Sequence, residues 1–448
     1  MLRSFPKLRR LALSCPSERP GNGDDLVACS GLSPLVGTVE ELCFRGSPLP
    51  SNLTSFTRLR QLSSSGWSVG LPELASAPPS LTRLEVSGCH ISSDVDYLAP
   101  LTQLRVLRIG APRVDARPLA ALAALEELDL SETTVMDVAP LARLSALQRL
   151  AAPRACHLAG LSGLTTLTAL RALSCTCLGG DVSFLSTFSL LQRLDLAYSW
   201  ETSLRDVAAA APFLAALSLK AVPAHPQDAL APLDVSFLPL LARLESFTLF
   251  SKANDASCGC IGQLPSLRSL VLTHMSAVTP AGILSFTSLT RLETLKLMQC
   301  QNALVDGTLV HLGRLSSLTS LMLDADGPWQ DMQPTQPTPL DLSPLLQLRL
   351  RSLRLPFCDD AILRTVARLR SLRRLSLHNG TFADASMQAL LQLTGLEQLF
   401  LSTTPVMKAP LRVTNVGIMA PTALPFLRRY TVAGKQHRLQ FNSPYVWN

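Results

Sequence analysis

Apolar residues recur along this chain in a fixed short pattern, L-x-x-L-x-L, where x is any residue. It reads "LEELDL" from Leu125, "LQRLDL" from Leu191, "LRSLVL" from Leu267, "LETLKL" from Leu292 and "LRRLSL" from Leu372. With Val, Ile, Phe, Tyr or a small residue allowed at one position, 18 copies run from Leu8 to Leu427. From Val39 to Leu214 the steps are 20, 22, 23, 21, 22, 23, 21 and 23 residues. Later steps of 23, 25, 26, 22 and 24 stand between gaps of 30 to 32. In L-x-L the leucines alternate, so they share one face of a short strand and the residues between them face the other way. One strand and its return cannot bury that face alone, so copies must stack. The pattern therefore predicts a parallel sheet with leucines inside and the alternate residues lining an outer surface.

These motifs resemble the leucine-rich repeat family over nearly the whole chain. The resemblance implies an α/β fold: a leucine-rich repeat solenoid, or horseshoe, with a parallel concave β-sheet and short helical or 3-10 return segments on the convex side. It implies a single solenoid of about 18 repeats over residues 1–448. The family usually places Asn three residues after the last leucine. Here that position holds Cys89, Thr133, Cys300, Cys358 and Thr404, as in the cysteine-containing intracellular repeats. These cysteines are read as structural. The Ala- and Arg-heavy unit "LDLSETTVMDVAPLARLSAL" is similar to leucine-rich repeat proteins of trypanosomatid parasites.

Two kinds of return segment are predicted. Asp94, Asp115, Asp137, Asp181 and Asp234 each lie ten residues before the next leading leucine. Asp at the head of a short helical turn accepts bonds from free backbone N–H groups, so these five are read as caps and not as an acidic catalytic set. "DDAILRTVARL" from Asp359 and "DASMQALLQL" from Asp384 are longer, and their apolar spacing predicts α-helices.

Four stretches break the period: 15–36, 222–232, 324–339 and 403–425. Loops of this length are functional or loosely ordered. Residues 433–448, with Phe441, Tyr445 and Trp447, are read as a C-terminal cap. No polar cap precedes Leu8, so the array is expected to continue upstream or to be covered there by a partner. The first 14 residues are Arg-rich with no acid, as in a mitochondrial import segment. Phe5, Leu8, Leu11 and Leu13 also match the repeat in phase, and Pro6 cuts a long presequence helix. The repeat reading is favoured.

Composition narrows the class. Apolar residues make up 47% of the 448 and aromatics only 5%, so Leu and Ala carry the core. The longest apolar run, Val207 to Leu219, is shorter than the roughly 18 to 20 residues a membrane span needs. Eleven scattered cysteines and no signal peptide point to a reducing compartment. The expected location is cytoplasmic, with mitochondrial as the alternative.

No catalytic signature is present: no H-E-x-x-H, no G-x-S-x-G, no phosphate loop and no G-x-G-x-x-G. The C-x-C pairs Cys175–Cys177 and Cys258–Cys260 lack the four-ligand spacing of a zinc site, and Cys175 occupies an inward leucine position. The expectation is no enzyme activity, no metal and no cofactor.

The exposed strand positions are the candidate site. They are Phe250, Val271, Lys296, Met298, Met322, Arg354, Arg374, His378 and Phe400, joined by Trp329 in the Pro-rich break. The resemblance implies a protein partner on the concave face, with Phe and Met as anchors. Eight Arg between Arg349 and Arg374 face two acids, Asp359 and Asp360, which suits an acidic protein or a nucleic-acid backbone. No aromatic-basic stacking motif accompanies them, which argues against nucleic acid. The function expected is a non-catalytic protein–protein interaction scaffold. The alternatives are a substrate-recognition adaptor of a ubiquitin ligase and a structural subunit of a ribonucleoprotein or mitochondrial assembly.

Overall fold

The computed structural model describes residues 8–14, 32, 35–46, 49, 53–65, 74, 76–87, 95–135, 137–153, 161–177, 180–199, 202–222, 233–300, 302–304, 307–324, 340–378, 380, 383–402, 417, 419–433 and 438–442. Its contacts gather in two compact units, Met1–Leu214 and Ala215–Asn448.

In unit 1 the strands are β1 (Arg10–Ser14), β2 (Glu41–Arg45), β3 (Gln61–Ser65), β4 (Arg83–Ser87), β5 (Val106–Ile109), β6 (Glu127–Asp129), β7 (Arg149–Ala151), β8 (Ala172–Cys177), β9 (Gly180–Asp181), β10 (Arg193–Tyr198) and β11 (Thr202–Ser203). β1 to β8 and then β10 pair in parallel, each with the next. β9 and β11 form a separate two-stranded ribbon. One leucine per strand falls in line: Leu11, Leu42, Leu62, Leu84, Leu107, Leu128, Leu150, Leu173 and Leu194. A one-residue slip would turn every one of these outward, so burial fixes the register.

Unit 2 repeats the scheme with β12 (Ala216–Ala221), β13 (Ser246–Phe250), β14 (Ser269–Leu272), β15 (Thr294–Met298), β16 (Ser320–Asp324), β17 (Ser352–Leu355), β18 (Arg374–Leu377), β19 (Gln398–Ser402) and β20 (Arg429–Ala433). All nine pair in parallel, and β21 (Arg438–Asn442) adds antiparallel to β20. The aligned inner row here is Leu217, Phe247, Leu270, Leu295, Leu321, Leu353, Leu375, Leu399 and Tyr430. Each of the 18 motif copies thus supplies one parallel strand. This is the leucine-rich repeat fold that the motifs implied. Arg10–Ser14 is itself a repeat strand, paired with β2.

The returns differ between the units. In unit 1 they are mostly 3-10 turns, such as Pro118–Ala121 and Ala139–Arg143. A 3-10 turn rises about 2.0 Å per residue against 1.5 Å for an α-helix, so a short repeat can travel back along its strand. Asp115 Oδ1 accepts the Arg117 N–H at 2.9 Å and Asp137 Oδ1 the Ala139 N–H at 2.9 Å, as expected of caps. Asp234 does the same for Ser236 in unit 2 at 3.0 Å. Asp94 and the Asp181 side chain lie outside the described residues.

α1 (Val207–Ala210) is a single turn in unit 1. Unit 2 carries α2 (Asp255–Ile261), α3 (Pro280–Leu284), α4 (Thr308–Gly313), α5 (Asp360–Val366) and α6 (Asp384–Ala389). Asp359 caps α5 by accepting the Ile362 N–H at 2.7 Å. The residue after a cap also links repeats. Asp255 Oδ1 accepts the N–H of Thr279, at the head of α3, at 2.8 Å. Asp360 Oδ1 accepts the N–H of Ala383, at the head of α6, at 2.8 Å. Asp384 sits inside the first turn of α6 and does not cap it. At Gly313 a Cβ would come within 2.6 Å of the Pro344 carbonyl oxygen, so only glycine lets that return pack so closely.

Candidate partner-binding face

The strand face opposite the leucines differs sharply between the units. In unit 1 its middle row runs Ala12, Cys43, Ser63, Glu85, Arg108, Asp129, Ala151, Ser174 and Asp195. Most of the charged side chains here are tied to one another, while Asp129 accepts from the Ser131 N–H and hydroxyl and Asp195 forms no ion pair among the described residues. Arg10 Nε lies 3.0 Å from Glu41, and Arg83 Nε 2.8 Å from Glu85. Glu127 receives Arg108 at 2.8 Å on one side and Arg149 at 3.2 Å on the other. Arg108 also lies 3.9 Å from Glu85, so four ion pairs link Arg83, Glu85, Arg108, Glu127 and Arg149 into one chain. The parallel register sets like rows side by side, and alternating signs along the row make each neighbour attractive. Over β1 to β4 the short side chains Ala12, Cys43 and Ser63 leave a shallow depression of about 310 Å³.

In unit 2 the middle row is Ser218, Thr248, Val271, Lys296, Met322, Arg354, Ser376, Phe400 and Thr431. Val271, Lys296, Met322, Arg354 and Phe400 are thus adjacent or near-adjacent members of one row. All five are half-buried. The next row along the strand brings Phe250, Met298, Asp324 and His378; Phe250 is 42% exposed, Met298 half-buried. Arg374 lies in the preceding row and is exposed. Nine of the ten sequence candidates therefore stand on this one sheet face. Trp329 lies outside the described residues.

One member was not anticipated. Asp324, which the broken pattern assigns to the start of a loop, is the last residue of β16 and is almost completely buried. Its carboxylate lies 2.7 Å from the Arg354 guanidinium, whose side chain keeps a third of its exposure. Asp324 follows the last leucine of its strand by one position, as Phe250 and Met298 do, so the phase of the motif carried the signal.

His378 is the neighbouring titratable group. Its ring stacks at a 37° tilt on Phe400, centroids 5.1 Å apart, and Nε2 lies 2.9 Å from the Ser376 hydroxyl. Burial pulls its pKa below the ordinary imidazole value, the Arg354 charge lowers it further, and Asp324 works the other way. The imidazole is accordingly held neutral beside a committed ion pair.

The cysteines after the motif are buried. Cys300 Sγ lies 3.4 Å from the Asp324 carbonyl one repeat on, and Thr133 donates to the Leu130 carbonyl at 2.8 Å. Burial pushes the Cys300 thiol up to about 12 and the Cys358 thiol well above its usual range, so both stay protonated and poorly nucleophilic. Cys175 is buried in the core. Cys258 is buried in α2, its thiol also pushed up to about 12, while Cys260 is half-buried. Cys89 and Thr404 lie outside the described residues. Among the described residues no group of three or more His, Cys, Asp or Glu is arranged to hold a metal, and no helix is long and apolar enough to cross a membrane.

Charge follows the same division. Residues 1–214 carry 19 basic and 19 acidic side chains, and residues 215–448 carry 21 and 14, so the whole net charge of +7 belongs to unit 2.

No family model matches the sequence, and no curated protein does. Solved structures that resemble it are leucine-rich repeat proteins. An internalin from Listeria monocytogenes is 19% identical, with 86% of this chain and 89% of that one covered and a TM-score of 0.38. A leucine-rich repeat protein from Leptospira interrogans is 17% identical, covering 85% and 92%, with a TM-score of 0.45. TLR13 in a complex with a single-stranded RNA is 17% identical, covering 78% and 53%, with a TM-score of 0.49.

Proposed function

We propose that the protein is a non-catalytic interaction scaffold that binds a protein partner across the outer sheet face of unit 2. The observation that carries this is the placement of Phe250, Val271, Met298, Met322 and Phe400 on the solvent side of a sheet whose core is already filled by leucine. Fold stability does not require large apolar side chains there. In unit 1 the same middle-row positions hold small or charged residues, with no large apolar side chain among them, and the sheet forms equally well. Clustered aromatic and Met side chains on an otherwise polar face are what a binding surface requires.

The test is capture of partners by the wild-type chain and by the double variant Phe250→Asp/Met298→Asp, with recovered proteins identified by mass spectrometry. Both side chains are outside the core, so the circular dichroism spectrum and melting temperature should stay within error of wild type. Recovery of the partners should fall at least tenfold, because each change buries a charge in the contact. Full recovery by the folded double variant would remove the face from the interaction.

A further inference from the structure

In unit 2 Arg268 pairs with Glu293 and Arg354 with Asp324, but several arginines of β17 to β20 are not tied across strands as Arg83, Arg108 and Arg149 of unit 1 are. Arg351, Arg374, Arg428 and Arg429 are exposed on or beside the outer face of β17 to β20. Among the described residues no ion pair engages any of them. The two acids nearby do not neutralise them: Asp324 is taken by Arg354, and Glu397, just before β19, forms no ion pair with a described arginine. The register places Arg374 opposite Gln398, and Gln398 opposite Arg429. The two arginines are therefore two strand spacings apart, about 10 Å. Phe400 stands on the strand between them, two residues on from Gln398, with Met322 further along its row.

We propose that this patch takes an acidic segment of a protein partner, with carboxylates on Arg374 and Arg429 and an apolar side chain against Phe400. The inference rests on the scaffold reading above and names the chemistry of the partner. Guanidinium groups meet carboxylates in bidentate fashion, and an unopposed cluster steers such a segment in. A nucleic-acid backbone would also meet the arginines but would gain nothing from Val271, Met298 and Met322. The Asp324–Arg354 pair and the His378–Phe400 stack fix the floor on which the segment lies.

The experiment is fluorescence anisotropy with the full chain and three probes. These are a fluorescein-labelled 12-residue peptide alternating Glu with Leu and Phe, the same peptide with Gln for every Glu, and a 12-nucleotide oligouridylate. The acidic peptide should bind, weaken as salt is raised, and weaken at least tenfold in Arg374→Glu/Arg429→Glu. Arg374→Gln/Arg429→Gln should show a smaller loss in the same direction, and both variants should keep the wild-type melting temperature. Equal binding of the Gln peptide, absence of acidic-peptide binding, or tighter arginine-dependent binding of the oligouridylate would each overturn the proposal. So would binding that appears only when residues 325–339, which contain Asp326 and Asp331, are deleted, since the chain's own segment would then be the occupant. Failure here with capture still dependent on Phe250 and Met298 removes the acidic partner alone; loss of both dependences removes the scaffold reading.

Discussion

Units 1 and 2 are built from the same nine-strand scheme, yet they use the outward face in opposite ways. Unit 1 ties most of the charged side chains of its middle strands to each other. Arg83, Glu85, Arg108, Glu127 and Arg149 form a chain of cross-strand ion pairs, and the unit is neutral overall. Unit 2 pairs Arg268 with Glu293 and Arg354 with Asp324 on or beside this face, and leaves Arg374 and Arg429 without an ion pair among the described residues, beside Phe400 and Met322. The leucine core fixes the fold in both, so the outer rows are free to differ without cost to the sheet. The difference teaches where to look: an outer face whose charges are internally satisfied has little to offer a partner, and one with unopposed charge and apolar side chains has both steering and burial available.

The largest expected effect is on the Asp324–Arg354 pair of unit 2. Asp324→Asn should lower the unfolding free energy by about 2 kcal/mol, less than the roughly 3–5 kcal/mol of a fully buried pair because Arg354 is a third exposed. Urea denaturation monitored by circular dichroism reads this directly, and Asp324→Asn together with Arg354→Met should recover much of the loss. In unit 1, Glu127→Gln should cost no more than about 1 kcal/mol, since its arginine partners are largely solvated. That change also frees Arg108 and Arg149, so it should raise the affinity of unit 1 for the acidic peptide and make the units more alike. The smallest effect is the titration of His378. Its pKa lies below the unfolded imidazole value, so between the two values the unfolded chain binds a proton that the folded chain does not. This contribution is complete above the unfolded value and is lost as pH falls toward the folded one. A proton NMR titration of the His378 ring should show a midpoint below 6.5, and His378→Gln should flatten stability across that window.

The architecture was legible because the leucine phase is enforced by burial at every strand. The aspartate caps were legible because their bonds span only two residues, as in Asp115 to Arg117 and Asp137 to Ala139. The charge pattern was not. Arg108 and Glu127 stand 19 residues apart, and only the strand register brings them within 2.8 Å. Read along the chain, all the arginines looked alike as surface groups recurring with the repeat. Asp324 was hidden for a different reason: the Pro-rich sequence that follows it suggests a loop one residue before β16 ends. Arg354, a candidate contact by position, proves to be committed to Asp324, so it shapes the face more than it reaches from it.

The account is tested most directly by mapping where an acidic peptide lands. The Glu-containing 12-residue peptide, carrying a photoreactive group at its centre, is irradiated with the full chain and the adducts are located by mass spectrometry. The account predicts adducts within residues 294–431, lost when Arg374 and Arg429 are both changed to Glu. Adducts concentrated on the strands between Arg10 and Tyr198, unchanged by those substitutions, would contradict it.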